Sequence, residues 1–565
     1  MASLAFLLSG ACVLYLCCSL VLRRWRRISL AEVPGPEPVS WLLGNMPQLF
    51  GGQVGDAEFK WQEIYGGVVR IRAPFGEDTL LVTDPKALQY IYQTSGYRFH
   101  KQPERIELTR LISGRGLLWA DGNDHKRHRK VMLPGFKSSE AKALVPLFFS
   151  CAAQIGTKWK DLIAQTPEQA TVLNVTGWAS RATLDAIGAA AFDYSFGAIE
   201  NVDNPVGSAY NSLFTDTFAS LSGVSLLALG VLQYVPRRMR EFLVDHIPAR
   251  GLKHIRYAAR VTKRVARELV ASKSAALLQG KGNRDIMSLL VKANASENEQ
   301  TKLNEDELLS QMQTIIMAGH ETTASTFSWA VLELARRPDI QARLRAEIRS
   351  MERVVRTHEA REFNSSDIEK MPYLEAFVKE VLRFHPVAFS NYRQSANDDV
   401  LPLSKPMTLT SGEVISELPI PRGMKVMISI AAYNRNKEIF GHDAHLFNPE
   451  RWLNGSMRKP DTPVGVYANL LTFAGGLRTC IGWRFAYCIS FCLDALIQTH
   501  APIRSVLELH AFLIELVGTF DFSLTPEAMR IRREACVVMA PTVEGQRDKG
   551  TCLPLRVSIA SREDS

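Results

Sequence analysis

Ten residues near the C-terminus, Phe473-Ala-Gly-Gly476-Leu-Arg478-Thr-Cys480-Ile-Gly482, fit the spacing F-x-x-G-x-R-x-C-x-G. A lone cysteine on such a glycine-rich loop can ligate haem iron through its sulfur. A thiolate there pushes electron density onto the iron and favours O–O cleavage. Gly476 and Gly482 are expected to let the backbone turn tightly and approach a flat ligand. Phe473 can lie beside the sulfur, and the forked donors of Arg478 suit an anionic propionate. Five fixed positions, one of them a rare cysteine, arise by chance in a chain of this length on the order of once in ten thousand tries. The competing reading is a buried structural thiol, since free cysteine behaves as a small hydrophobe.

Two further groups precede that loop. Ala318-Gly319-His320-Glu321-Thr322-Thr323 sits in the middle of a helical stretch, where a threonine after a glycine can bend or open the backbone ladder. Taken alone, a glutamate and two threonines also describe a solvated turn. Glu380 and Arg383 share a helix face at i,i+3 spacing. The same spacing recurs at Glu107/Arg110, Glu527/Arg530 and Glu544/Arg547, so it selects nothing by itself. Its setting does, in Tyr373-Leu-Glu-Ala-Phe-Val-Lys-Glu380-Val-Leu-Arg383-Phe-His-Pro386, followed by Phe447-Asn-Pro449-Glu-Arg451-Trp452.

With these motifs in this order, the chain resembles the cytochrome P450 family from roughly residue 34 to the C-terminal strand region. The resemblance implies a mainly α fold with small β-sheets, forming a single large haem domain. It implies haem b with Cys480 as the axial thiolate on iron. Glu321 then corresponds to the acid and Thr322 to the alcohol that relay protons to dioxygen, and Glu380, Arg383 and Arg451 to a locked structural triad. Arg393, seven residues beyond Pro386, and Arg129 match propionate-binding positions; His125 stands where many relatives have tryptophan. His320, with no ligand partner nearby in sequence, reads as a helix-surface residue, and Arg127 and Lys130 as ordinary basic surface.

The implied activity is a monooxygenase acting on an apolar small molecule, with an NADPH-dependent flavoprotein reductase as electron donor. The likeness to fungal microsomal members inclines the substrate towards a terpenoid or other secondary metabolite. Aromatic xenobiotics or fatty acids are the alternative, and a haem-thiolate isomerase or a non-catalytic haem sensor or electron carrier more distant ones. The segments 98–119 and 208–233, expected to line the pocket, are rich in Phe, Leu, Ser and Thr, which suits an apolar ligand.

These residues need a scaffold. The chain has 565 residues, 46% of them hydrophobic and 22% charged, enough for a large buried core. Its formal net charge of +9 suits an anionic partner or membrane, and no nucleic-acid motif claims it. Nine cysteines show no paired framework, as in a reducing compartment. Leu4 to Leu22 form an apolar run stopped by Arg23, Arg24, Arg26 and Arg27, which predicts a transmembrane anchor over residues 1–28. Positive charge after the run places the catalytic domain, 29–565, on the cytosolic side of the endoplasmic reticulum. A cleaved signal is the competing reading. Residues 29–40, with Pro34, Pro36 and Pro38, read as a stiff hinge. Asn174, Asn294, Asn364 and Asn454 head N-x-S/T sites that would face away from the glycosylation machinery.

Helical periodicity dominates residues 136–390, with strands expected near 67–71 and 79–82. One long helix is predicted over Gln311–Arg337, ended by Pro338, after a polar connection from Gly280 to Asp306. Gly114-Arg115-Gly116 lacks the third glycine of a dinucleotide fingerprint, so electrons must come from a separate protein.

Overall fold

The structure is a computed structural model that describes residues 29–210, 213–219, 221–279, 285–294, 302–357, 363–453, 461–484 and 507–561. The predicted anchor over 1–28 lies outside them, as does Asn454. Among the described residues no single helix is long and apolar enough to cross a membrane. The site is built around helices α1 (Pro103–Ser113), α2 (Gly122–Met132), α3 (Val145–Ala164), α4 (Val175–Phe192), α5 (Arg237–His246), α6 (Arg250–Leu278), α7 (Glu305–Arg336), α8 (Pro338–Thr357), α9 (Pro372–Phe384) and α10 (Leu507–Thr519). The chain is mainly helical with small sheets, as expected.

The largest sheet among the described residues uses β1 (Val68–Ala73), β2 (Glu77–Val82), β3 (Phe99–His100), β4 (Ser390–Ser395) and β5 (Lys425–Ser429) in the order β1-β2-β5-β4-β3. Its β2/β5 pair is parallel, and its β3/β4 pair sets His100 opposite Gln394, beside Arg393. The proline-rich segment lies along β1. Pro34 O accepts the Arg70 N–H at 3.0 Å, and a Cβ on Gly35 would stand 1.8 Å from Arg70 O.

Helix α7 is the central rod, packed against α4. Its start is set by a reciprocal cap: Asn304 Oδ1 accepts the Glu307 N–H at 2.8 Å, and Glu307 Oε2 accepts the Asn304 N–H at 3.0 Å. Three acids in the first turn complement the positive end. The helix therefore begins six residues before the predicted Gln311, because the capping residues lie inside the polar stretch read as a connection. That stretch also holds a helix of its own, Ile286–Asn294. From Leu308 to Ala335 the α7 side chains are buried except at Ala318, Gly319 and Glu321 to Thr323. This break in burial marks one window on the rod.

Helix α9 starts at Pro372, where the Glu347 carboxylate of α8 accepts the N–H groups of Tyr373 and Leu374 at 2.9 and 2.8 Å. Three sequon asparagines have structural work. Asn174 Oδ1 accepts the Leu553 N–H, Asn294 Oδ1 the Leu303 N–H, and Asn364 caps a short helix.

Candidate active site

The cysteine loop is a run of short 3-10 turns closed by a bond from the Cys480 N–H to Phe473 O at 2.9 Å. Gly476 has φ +61°, and a Cβ there would stand 1.8 Å from Tyr92 O. Gly476 makes the tight turn that the sequence suggests, and glycine is further required there for packing against the Tyr92 backbone. A Cβ on Gly482 would meet nothing nearer than Phe136 at 3.9 Å, so the chain itself does not exclude a side chain there.

Cys480 is exposed to solvent, yet enough protein surrounds its sulfur that desolvation pushes its thiol up. The N–H groups of Gly482 and Trp483 and the Arg129 guanidinium pull it back down. Burial wins over these donors in the free thiol, and they would support the sulfur as an anion once a bound metal cation draws its proton off.

Beside the loop, cations outnumber acids. Arg393 is buried, and its guanidinium bonds only the Tyr392 carbonyl among the described residues. Arg129 donates to Thr479 O at 2.7 Å. Arg478 pairs with Asp121 rather than standing free, and its buried Nε has no partner among the described residues. Lys101 donates to the carbonyls of Leu118 and Ala120, and burial with Arg393 nearby lowers it to about 7. His125 meets the Tyr97 hydroxyl through Nδ1 at 2.7 Å, and burial with Lys101, Arg478 and Arg129 around it lowers its pKa to about 3. Asp121 sits among these groups, held at about 2 by Arg478 against the upward push of burial. Such a surplus of cations calls for an anionic guest. The predicted His125, Arg129, Arg393 and Arg478 are thus brought together. Lys101, Tyr97 and Asp121 were missed, although Asp121-Gly122 is a turn signal and Asp121 caps α2.

The buried triad is present as expected. Glu380 accepts from Arg383 at 2.7 and 2.8 Å and from Arg451 Nε at 3.1 Å. Trp452 Nε1 and the Asn448 N–H fill its remaining lone pairs at 2.9 and 2.8 Å. Arg383 also reaches Asn434 O, while Asn434 Oδ1 receives the Leu471 N–H and its amide donates to Thr472. The triad is thereby tied to the root of the cysteine loop, two residues before Phe473. Asn434 and Trp452 escaped the sequence reading, although Trp452 follows Arg451 directly.

On α7, Thr322 Oγ1 donates to Ala318 O at 2.6 Å, and Thr323 Oγ1 to Gly319 O at 3.0 Å. The helix is nonetheless continuous through the motif. His320 is fully buried, which overturns its reading as a surface residue. Its Nε2 lies 3.0 Å from Glu321 Oε1, the Tyr210 ring meets it edge-on at 5.4 Å, and Thr183 of α4 donates to its carbonyl at 3.0 Å. Arg127 is likewise no idle surface cation. It clamps Glu307 with bonds of 2.9 and 2.5 Å, tying α2 to the start of α7, whereas Lys130 is exposed.

A helical body with an exposed cysteine on a glycine-rich loop, a cationic rim and a mid-helix acid–alcohol pair fits the class of haem-thiolate proteins. The family profile described as Cytochrome P450 matches residues 34–499. Cytochrome P450 monooxygenase 205 of Postia placenta is 30% identical, over 94% of this chain and 92% of its own length. Cytochrome P450 monooxygenase 91 of the same fungus is 32% identical, over 91% and 92%. Ganoderic acid synthetase of Ganoderma lucidum is 31% identical, over 88% and 89%. The chain belongs to the cytochrome P450 family, and is an oxidoreductase of the monooxygenase kind. Membership implies a haem with a thiolate on its iron, and the cationic rim and open cysteine fit that group.

Proposed function

We propose that this chain is a membrane-anchored monooxygenase of the endoplasmic reticulum, its catalytic domain cytosolic, that oxidises an apolar secondary metabolite of terpenoid kind. Dioxygen gives one atom to the product and one to water, with two electrons from NADPH through a flavoprotein reductase and two protons from solvent. The observation that carries the reading is Cys480, exposed to solvent and backed by the N–H groups of Gly482 and Trp483. In this reading Cys480 holds the iron of haem b, and Arg129, Arg393, Arg478 and His125 receive the propionates, with Lys101 beside them. When bound, the haem supplies the oxidising chemistry.

The chain's own groups do the rest. The exposed Ala318 leaves room for a small molecule against α7, while Gly319 lets the helix pack on Ile187 of α4, where a Cβ would stand 2.7 Å away. Glu321 would take protons from solvent, and the Thr322 hydroxyl, once it leaves Ala318 O, would hand them on into the window at Ala318. The secondary-metabolite assignment is supported by the printed name of the Ganoderma relative. The test is spectral and catalytic together. Reduced protein with carbon monoxide should give the red-shifted Soret band of a thiolate opposite the gas, absent in Cys480→Ser. With reductase and NADPH, a terpenoid panel should yield oxygenated product; a normal band in Cys480→Ser would overturn the reading.

A further inference from the structure

Two neutral donors stand beside the cationic rim with protons to spare. Asn391 lies on β4 two residues before Arg393, and alternate residues of a strand point to one face, so the two side chains leave the sheet on the same side. Tyr92 comes from the turn Tyr90–Thr94, whose backbone packs on the cysteine loop. A Cβ on Gly475 would stand 3.5 Å from Tyr92 Cβ, and one on Gly476 1.8 Å from its carbonyl oxygen. Tyr92 is only 4% exposed, so its hydroxyl must find its partners inside the protein.

One of them is Asn391, whose Nδ2 donates to Tyr92 Oη at 3.0 Å. That bond uses the hydroxyl as an acceptor. The tyrosine's own proton then has no acceptor among the described residues, and neither has the second N–H of the amide. Turning the amide over moves the surplus without removing it: the hydroxyl would donate to Oδ1 and leave both amide N–H bonds free. The acid of the rim is no help. Asp121 already accepts from Arg478, from the Lys101 N–H at 3.0 Å and from the Gly122 N–H at 2.9 Å.

Charge places the pair next to the rim cations. Burial raises the Tyr92 hydroxyl above its ordinary value, and the pull back down comes first from Arg393, then from the Asn391 amide and Arg478. The phenol therefore keeps its proton at neutral pH and has it to give. Arg393 for its part spends Nη1 on the Tyr392 carbonyl and bonds no carboxylate among the described residues. A carboxylate offers about four lone-pair directions, of which a guanidinium fork fills two. The remaining two suit a hydroxyl and an amide.

We propose that Tyr92 and Asn391 are cofactor-holding residues that give two neutral hydrogen bonds to the haem propionate received by Arg393. The inference rests on the haem-thiolate reading and extends its propionate set, which otherwise consists of cations and His125. Tyr92 then fastens both ends of the cofactor: its backbone seats the loop that carries the sulfur, and its hydroxyl holds the carboxylate.

The test uses the full chain purified with its haem. Haem transfer to excess apomyoglobin is timed, and the propionate bending bands of the resonance Raman spectrum are recorded on the same samples. Tyr92→Phe keeps the ring that packs on the loop and removes only the hydroxyl. It should release haem about tenfold faster than the parent, as expected for one lost hydrogen bond to a charged group, and shift a propionate bending band. Asn391→Leu should speed release to a similar degree and shift the same band. Release as slow in Tyr92→Phe as in the parent overturns the proposal. So does faster release with the propionate bands unmoved in both variants, which would make these two side chains packing residues only. If Tyr92→Phe takes up no haem, Asn391→Leu decides by the same two readouts. The carbon monoxide band of the parent separates the two levels of the argument. Its presence alongside a failed test sinks the propionate donors alone, whereas its absence sinks the haem-thiolate reading beneath them.

Discussion

At the scale of single residues, Glu380 shows how a buried charge is kept. Its carboxylate is fully buried and receives Arg383, Arg451, Trp452 and the Asn448 N–H. Glu380→Ala would leave the buried Arg383 without an acid and Arg451 with Asp443 alone, a loss of about 3–5 kcal/mol. Thermal denaturation and haem content should fall together; an unchanged melting temperature would refute the account. Glu58 behaves in the opposite sense. It is buried, and desolvation raises its pKa to about 7 despite Arg533 and backbone donors. The folded state therefore holds a proton that the unfolded chain has released above its ordinary value near 4.5. That contribution is complete below pH 4.5 and disappears as pH rises through 7, up to about 3 kcal/mol in all. Glu58→Gln should flatten the fall in melting temperature between pH 5 and 8, and an identical slope in the variant would rule the residue out. Cys480, Glu380 and Arg451 were legible because their motifs carry type and spacing in one short window. Lys101, Tyr97, Asp121 and Asn434 were not, since they act through contacts formed only when distant segments meet. His320 was misread for the same reason: its burial comes from α4 and Tyr210, neither of which is near it in sequence.

At the scale of elements, the proposed function places the chemistry on α7 because, from Leu308 to Ala335, the helix is buried except at one window. A fully apolar rod would have served packing better; Glu321 and Thr322 at the break are what catalysis asks of it. Thr322 Oγ1 now bonds Ala318 O, so its hydroxyl is held at the window rather than lost to solvent. Thr322→Ala should lower product formation on the order of 10²-fold while NADPH is still consumed, with peroxide accounting for the difference. Peroxide per NADPH unchanged from the parent would remove Thr322 from proton delivery. His320→Leu keeps the volume but deletes the imidazole 3.0 Å from Glu321. It should raise peroxide release several-fold and His320→Gln should restore part of the coupling. The extent of α7 was nearly legible: its C-terminal stop at Pro338 is written in the sequence, whereas its start depended on recognising Asn304 and Glu307 as a cap.

At the scale of the whole molecule, the net charge of +9 is not spread idly. Helix α2 flanks the cysteine loop through Arg129 and Thr479, and its basic residues divide by role. Arg127 is consumed by Glu307 and Asp124, and Arg129 faces inward. Lys126 and Lys130 remain exposed, the former over the Tyr97 ring at 5.2 Å. Tyr97 in turn touches His125, so Lys126 stands above the cationic rim, with Lys130 one turn further along the same helix. An acidic flavoprotein approaching this face is steered by charge over roughly one Debye length, about 8 Å at physiological salt. Lys126→Glu/Lys130→Glu should therefore slow first-electron transfer from the reductase roughly tenfold at low ionic strength and erase most of its salt dependence. The carbon monoxide band should stay as it was, because neither lysine reaches the cysteine loop. Electron transfer as fast in the double variant as in the parent, with the same response to salt, would move the docking face elsewhere on the molecule.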